Sequence, residues 1–267
     1  MKDRKIAVHF TDNELMNPVH PVTVNLIGAG ATGSKVLTGL AEMHHSLRAF
    51  NHPGLHVRVW DDDSITQANL GRQRFADSQV GLLKSVALIN NANRWAGTNW
   101  KAETTRFQRN AKGELPKNAM ATIFFSCVDN VDARFEIADI LRNTKGSGGN
   151  NKPKYWIDCG NGKRSGQVIL STVGQLVQPA SELYEPVGKL LTVTEEFSDL
   201  LRQSEEQDDT PSCSLPEALQ KQDLYINASI APLACELLWR LFRYGMTEHR
   251  GFFLNLKDFK SNPIPVG

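Results

Sequence analysis

The sequence predicts an α/β fold built on a Rossmann-like, doubly wound sheet that is mostly parallel. Three observations carry this prediction. The apolar, β-branched run Val22–Ile27 leads straight into three closely spaced glycines and then into a helical pattern. A second strand-like run, Leu55–Trp60, ends in three consecutive acids. A third run, at 121–127, is continuously apolar, as strands buried on both faces of a parallel sheet are, and an acid follows it.

The glycines Gly28, Gly30 and Gly33 form the pattern G-x-G-x-x-G between the first strand and its helix. The first glycine allows a tight turn, the second lets the backbone approach a phosphate, and the third lets helix and strand pack closely. The N–H groups of the helix N-terminus would then point at the anion. Taken alone, the pattern leaves three interpretations open: a nicotinamide or flavin site, an ATP site, and a turn without a ligand.

The acids after the second strand stand where a doubly wound sheet places a carboxylate for a ribose. They are Asp61, Asp62 and Asp63. We expect Asp61 to bind the ribose hydroxyls, and at least one of the three acids to cap the turn that follows.

The polar stretch at 64–84 is the most informative part of the chain. Its amide and cationic side chains accumulate where the phosphates of a nucleotide would lie, which favours a triphosphate over a dinucleotide. Lys84 opens the helix expected at 85–95, so its ammonium and the helix dipole would act on the same anion. The polar side chains concerned are Asn69, Arg72, Gln73, Arg74 and Lys84.

Asp129 follows the apolar run at 121–127, at the carboxyl edge of the sheet where ligands of such folds bind. A Mg²⁺ ion that bridges phosphates needs an oxygen ligand of this kind. We therefore expect Asp129 to hold Mg²⁺. The alternative is that Asp129 caps the helix expected at 133–142, and the two roles do not exclude each other.

The chain is expected to form a single domain over 1–267. A polar arm at 1–21 precedes the nucleotide-binding core at 22–173. The region at 174–223 is irregular and acidic, which is typical of a mobile crossover loop or lid. It carries Cys213 between two prolines.

The last part of the chain, 224–267, is expected to be an antiparallel C-terminal extension. It contains an apolar helix at 224–244 and a strand at 251–256, which we expect at the edge of the sheet. Further strands are expected at 101–107, 155–160 and 167–173.

Composition narrows the classes of function. The chain has 30 Lys and Arg against 29 Asp and Glu, with no basic stripe among its aromatics, so nucleic acid is not an expected ligand. No segment approaches the roughly 18 apolar residues of a membrane span, and the charged N-terminus is unlike a secretory signal. We therefore expect a cytoplasmic protein that does not bind membranes. The four cysteines include no C-x-x-C pair, which excludes a zinc site built from paired cysteines.

Six stretches in unbroken order between 22 and 173 resemble the successive motifs of the ThiF/MoeB-type adenylyltransferases, the family that includes the ubiquitin-activating enzymes. They are LIGAGATGS, VWDDD, NLGRQRF, VGLLKS, SCVDNVDAR and IDCGNGKRSGQVI. The later run TPSCSLPEAL and the helix after it resemble the family's crossover loop and final helix. The whole chain, including QKQDLYIN and LLWRLFRYG, is similar to the ThiF-like members of the PRTRC cassettes of bacterial plasmids.

This resemblance implies that ATP activates the C-terminal carboxylate of a small ubiquitin-like protein, which ends in glycine, as an acyl-adenylate with release of pyrophosphate. The glycine turn would hold the nucleotide, Asp61 the ribose and Asp129 the Mg²⁺ ion. The carboxylate is itself the nucleophile, so no side chain needs to act as a base and positioning supplies most of the acceleration. The phosphates would be neutralised by Asn69, Arg72, Gln73 and Lys84.

The sequence departs from the family pattern in several places. Ala31 stands where a further glycine is usual, and the C-x-x-C zinc ligands of many members are missing. Cys213 matches the approximate position of the cysteine that forms a thioester or a persulfide-linked adduct in some members, whereas others only adenylate. Members are commonly dimers in which an N-terminal arginine reaches the other subunit's ATP. The resemblance thus implies a homodimer, and Arg4 lies in the corresponding part of the chain.

Two other functions stay open. A nucleotide-binding scaffold that has lost catalysis would bind ATP without turnover, although the intact residues Arg72, Lys84 and Asp129 argue against it. A nicotinamide-dependent oxidoreductase would explain the glycines and Asp61 but leaves the N-L-G-R-Q run without a role.

Overall fold

The structure is a computed structural model that describes residues 5–116, 118–143, 152–204 and 215–267. Its strands are β1 (Ile6–Phe10), β2 (Val22–Ile27), β3 (Leu55–Trp60), β4 (Lys101–Glu103), β5 (Ile123–Ser126), β6 (Tyr155–Asn161), β7 (Ser165–Thr172), β8 (Tyr184–Pro186), β9 (Met246–Thr247), β10 (His249–Asn255) and β11 (Lys260–Pro265). Its helices are α1 (Asn13–Met16), α2 (Ala31–Ala49), α3 (Lys84–Ala96), α4 (Val131–Asn143), α5 (Val193–Glu196), α6 (Ser198–Ser204), α7 (Leu215–Lys221) and α8 (Ile226–Tyr244).

Eight of these strands form the central sheet in the order β11-β10-β7-β6-β5-β2-β3-β4. The strands from β4 to β6 in this order run parallel, and β7, β10 and β11 extend the sheet antiparallel at one end. All six residues of β2 and all four of β5 are buried, as expected of central strands covered on both faces. The predicted α/β class, with its mostly parallel sheet and antiparallel C-terminal extension, is confirmed.

Neighbouring residues of the central strands alternate between two apolar cores. Ile123 and Phe125 of β5 pack in the core that contains the inner faces of α2, α3 and α8. Phe124, which lies between them, packs in the other core with α4 and with Leu201 of α6. Because successive side chains of a strand point to opposite faces, the two helix layers lie on opposite sides of the sheet.

The N-terminal segment differs from the predicted polar arm at 1–21. β1 pairs in parallel with β8 and antiparallel with β9 to form a second, three-stranded sheet. Val8 and His9 are buried, and Nε2 of His9 lies 3.0 Å from the Tyr155 hydroxyl oxygen. The prediction of an arm was wrong because the partner strands of β1 are distant in the chain, and no local period of hydrophobicity indicates them.

The region at 174–223 is more ordered than its composition predicts. It contains β8, α5, α6 and α7, and the Thr192 side chain accepts a hydrogen bond from the Glu195 backbone N–H at the start of α5. Glu196 is ion-paired with Arg250 of β10, which ties this segment to the sheet. The prediction of an irregular region was therefore wrong for 193–204, which is mostly helical, whereas 174–192 has no regular structure apart from the three residues of β8. Residues 205–214, with Cys213, lie outside the described residues.

The C-terminal strand predicted at the sheet edge lies inside the sheet. β10 pairs with β7 on one side and with β11 on the other, so the tail folds back to form the edge. The prediction failed because Pro263 and Pro265 make the tail unlike a strand, although prolines are accepted on edge strands. Among the described residues, no helix has both the length and the apolar character needed to cross a membrane.

Candidate functional site

Two of the three motif glycines have a steric reason to be glycine. Gly28 has a φ of +94°, and a Cβ there would lie 2.6 Å from the Cys127 carbonyl oxygen. A Cβ on Gly33 would collide with the Gly28 carbonyl oxygen, so helix α2 approaches the turn too closely for any side chain. Gly30 differs, because nothing lies within 4 Å of the position of its Cβ. The open side of the turn is thus at Gly30, where the motif places the phosphate.

Asp61 holds the glycine turn in place. Its Oδ2 accepts a hydrogen bond from the Ala29 backbone N–H at 2.6 Å, and its Oδ1 accepts one from the Asp63 N–H at 2.9 Å. Burial raises the pKa of Asp61, while these hydrogen bonds and the nearby Lys84 act in the opposite direction. A carboxylate can accept further hydrogen bonds beyond these two. Its role with ribose hydroxyls therefore stays a prediction.

The polar loop, residues 64–83, joins β3 to α3. In it, Asn69 has a structural role, since its Oδ1 accepts from the Thr66 backbone N–H at 2.9 Å in a capping box. Gln73 is different, because its Oε1 is buried without a hydrogen-bond partner among the described residues. Such an atom costs ~1–3 kcal/mol unless a ligand satisfies it. Arg72 is half-buried, and burial lowers its pKa.

Lys84 opens α3 as predicted, but its ammonium already has a partner. Nζ lies 2.6 Å from Oδ2 of Asp63, and the Lys84 side chain is buried while that of Asp63 is 57% exposed. The Lys84 backbone N–H also donates to the Asp63 carbonyl oxygen at 2.9 Å. An incoming phosphate would therefore compete with Asp63 for this ammonium, a role for Asp63 that the sequence did not indicate.

Asp129 is an exposed carboxylate three residues after the end of β5. The helix cap is its neighbour Asn130, whose Oδ1 accepts from the Ala133 backbone N–H at 2.8 Å. Asp129 is therefore available for another role. Arg106 lies close enough to Asp129 for the two charges to interact. The pKa of Arg106 is raised mainly by its hydrogen bond to Asp62 and to a smaller extent by the charge of Asp129.

A buried arginine that the sequence analysis did not single out holds the loop that carries Asp129. Arg134 Nε donates to both oxygens of Asp158, at 3.1 and 3.2 Å. Its Nη2 donates to the Val128 carbonyl at 2.7 Å and its Nη1 to the Asn130 carbonyl at 3.1 Å. The guanidinium thus holds the backbone on both sides of Asp129. The available signal was a lone arginine on an otherwise apolar helix face, within SCVDNVDAR.

The topology brings the predicted residues to one edge. β5, β2 and β3 are neighbours, and the register pairs Ile27 with both Trp60 and Ser126, so Gly28, Asp61 and the segment leading to Asp129 leave the sheet together. Lys84 joins them through Asp63. The described residues contain no cluster of three or more metal-ligating side chains. One exposed carboxylate still fits Mg²⁺, which takes few protein ligands and completes its shell with phosphate oxygens and water. Cys213 and Arg4 lie outside the described residues.

Comparison with known proteins gives one family. Residues 2–264 match the model of the ThiF family. No curated protein sequence matches the chain.

Among solved structures, the chain resembles MccB from E. coli with a TM-score of 0.58 and 16% identity, over 96% of this chain and 64% of MccB. It resembles PaaA with a TM-score of 0.61 and 14% identity, over 95% of this chain and 75% of PaaA. A structure of MccB with ATP matches with a TM-score of 0.57 and 16% identity, over 96% and 65% of the two chains. Structures of MccB with MccA also match. At these identities the likeness is one of fold, and the chain spans about two thirds of the length of MccB.

Proposed function

The chain belongs to the ThiF family, and on that premise we propose that it uses ATP to adenylate the C-terminal carboxylate of a peptide or small protein. The observation that carries the proposal is the placement of Gly30, Asp61, Lys84 and Asp129 at one edge of the sheet, beside the polar loop. The fold is also that of MccB, which has been crystallised with ATP and with MccA.

In this reaction a carboxylate oxygen attacks the α-phosphorus of ATP. The new bond joins that oxygen to phosphorus, the bond from the α-phosphorus to its bridging oxygen breaks, and pyrophosphate leaves. Negative charge moves onto the leaving group, so cations already in place at the β- and γ-phosphates stabilise the transition state. Lys84 and Arg72 are the cations proposed for this role, and Asn69 and Gln73 would add hydrogen bonds from their amides.

Asp129 is the proposed ligand of Mg²⁺. When bound, the ion would supply charge neutralisation at the phosphates. The Arg134 guanidinium would keep the carboxylate of Asp129 in position, since it holds the Val128 and Asn130 carbonyls on either side of it. Positioning of the carboxylate and the α-phosphate would supply the rest, because two reactants held in contact gain a large effective concentration.

The finer parts of the proposal concern the substrate and the assembly. We infer a ubiquitin-like substrate with a C-terminal glycine, a homodimer, and a member of the PRTRC type, all from the resemblance of the motifs. Thioester formation on Cys213 would follow adenylation. Loss of a thiol-sensitive conjugate in Cys213→Ala would support this step, and intact masses that show only adenylate chemistry in both proteins would contradict it.

ATP–pyrophosphate exchange tests the reaction. We expect exchange that depends on a carboxylate substrate, with candidate peptides ending in glycine as the first probe, and we expect Asp129→Asn to reduce it at least tenfold. Asp139→Asn, which removes an exposed carboxylate farther along α4, is the matched control. Equal exchange in Asp129→Asn and Asp139→Asn would overturn the assignment of Asp129.

Thermal-shift measurements separate the two other functions. Stabilisation by ATP without exchange, for any candidate substrate, would indicate the nucleotide-binding scaffold. Stabilisation by NAD but not by ATP would indicate the oxidoreductase, because a ligand that binds the native state raises the melting temperature.

A further inference from the structure

Lys35 lies one turn into helix α2 and connects two parts of the site. Its Nζ donates to the Ala31 carbonyl oxygen at 2.9 Å, in the first turn of its own helix. It also donates to the Arg72 carbonyl oxygen at 2.5 Å, in the polar loop. One ammonium therefore joins the helix that begins at the glycine turn to the loop that carries Arg72. The proposed function uses neither Lys35 nor this contact.

The charged neighbours that shift the pKa of Lys35 are both arginines. Burial, followed by Arg74 and Arg72, lowers the pKa of Lys35 to about 8. Lys35 and Arg74 line a cavity of about 410 Å³ that is open to solvent. The same cavity is lined by Glu42 of α2 and Glu236 of α8. The salt bridges of the described residues nevertheless do not include Lys35.

We propose that Lys35 is a positioning residue that ties the polar loop to the N-terminus of α2, and that it carries a positive charge which the bound triphosphate stabilises. The proposal rests on the function proposed above for the nucleotide. The tie itself is a property of the free protein and can be tested without ATP.

The two contacts of Lys35 with carbonyl oxygens support the first part of the proposal, the tie between the polar loop and α2. The Arg72 carbonyl oxygen in the polar loop accepts a hydrogen bond from the Lys35 side chain of helix α2, so the contact joins two elements. Removing the donor leaves this half-buried carbonyl without it, and the loop then has one fewer restraint on the position of Arg72. The neutral amine keeps two N–H donors, so the tie survives deprotonation.

The charge explains the second part. Burial, and after it the charges of Arg74 and Arg72, lower the pKa of Lys35 to about 8, so the amine is partly neutral near that pH. An anion near the N-terminus of α2 reverses that effect and raises the pKa, so that nucleotide binding takes up a proton. The charged groups to be considered are Arg72 and Arg74 from the loop, Glu42 from α2 and Glu236 from α8.

Hydrogen exchange of the free protein tests the tie. We expect Lys35→Met to speed amide exchange at 70–75 by about tenfold, while Lys35→Arg, which keeps charge and donors, stays within about threefold of wild type. Lys101→Met, which removes an exposed lysine on β4, is the control. Exchange at 70–75 that is the same in Lys35→Met and Lys101→Met would overturn the tie.

Calorimetric titration of ATP at pH 8, in two buffers that differ in ionisation enthalpy, tests the charge. We expect wild type to take up a fraction of a proton on binding, and Lys35→Met and Lys35→Arg to take up less, since neither titrates in this range. Equal proton uptake in all three proteins, or proton release by the wild type, would contradict the proposed charge on Lys35. If wild type binds no ATP, the proposed function fails, and with it the charge, while the exchange experiment still decides the tie.

Discussion

The floor of the candidate site and the polar loop beside it are built in different ways. The floor consists of the glycine turn, Asp61 and the segment that carries Asp129, and contacts within the protein hold all three parts. The backbone approaches Gly28 and Gly33 closely, and Asp61 accepts hydrogen bonds from two backbone N–H groups. Arg134 holds the segment that carries Asp129. The loop instead contains an incomplete interaction, since the buried Oε1 of Gln73 has no hydrogen-bond partner among the described residues. The difference indicates that folding preorganises the floor, whereas the loop keeps a buried acceptor that only an N–H or O–H group of a ligand could satisfy.

Arg134→Met gives the largest expected effect, because it breaks the floor at its most buried point. It leaves the buried Asp158 carboxylate without its cation, which costs ~3–5 kcal/mol for a buried pair. Urea unfolding measures the loss. Arg142→Met, an exposed arginine later on α4, is the control and should change the free energy of unfolding by less than about 0.5 kcal/mol. Equal stability of the two variants would show that Arg134 does not hold the floor.

Gly33→Ala and Gly30→Ala form a matched pair within the motif. The methyl group at 33 meets the Gly28 carbonyl, so we expect a loss of ~1–3 kcal/mol in the free energy of unfolding. The methyl group at 30 meets open space, so stability should change by less than about 1 kcal/mol while affinity for ATP falls. Denaturation and titration of both variants check this. If both variants lost stability and ATP affinity to the same extent, Gly33 and Gly30 would not differ in role as proposed.

Asp63→Asn tests the ion pair between Asp63 and Lys84, at the two ends of the polar loop. It removes an exposed partner of Lys84, so stability should fall by no more than about 1 kcal/mol. The Lys84 ammonium then no longer divides its interaction between Asp63 and a phosphate, and affinity for ATP should rise about two- to fivefold. Titration at two salt concentrations measures it. A weaker affinity than that of wild type would mean that the ion pair orients Lys84 rather than competing for it.

The change in the pH dependence of stability caused by Asp61→Asn is the smallest of the expected effects. A carboxyl whose folded pKa is raised binds more protons in the native state, so its contribution to stability declines as pH rises from the unfolded pKa through the folded one. The variant also loses one acceptor at every pH, since an amide cannot accept on both sides. Its stability relative to wild type should therefore improve between pH 4 and pH 7. A relative stability that worsens with pH would contradict the raised pKa.

The sequence predicted the floor better than its supports. The β-branched run of β2, the apolar run of β5 and the glycines between strand and helix are local patterns, and the structure agrees with them. Arg134 of α4 was missed because its partner Asp158 is distant in the chain, on β6, where it is a single acid in an apolar run. Lys35 was missed for the same reason, since on the sequence it is an ordinary helix surface residue and its contact with Arg72 is tertiary.

A second kind of error concerns segments that were predicted to be irregular but contain strands or helices. β1 was predicted to be an arm because its strand character comes from its partners β8 and β9 and not from alternation. The acidic stretch before residue 204 was predicted to be loop because its capping box and its ion pair to Arg250 depend on single residues rather than on a period.

The prolines of β11 have a consequence for self-association. Pro263 and Pro265 lie on β11, which pairs only with β10 and forms one border of the central sheet, and neither proline has a backbone N–H. Neither can donate a hydrogen bond to an added strand. At the opposite edge, β4 is only three residues long. Both borders of the central sheet are therefore poor templates for edge-to-edge aggregation.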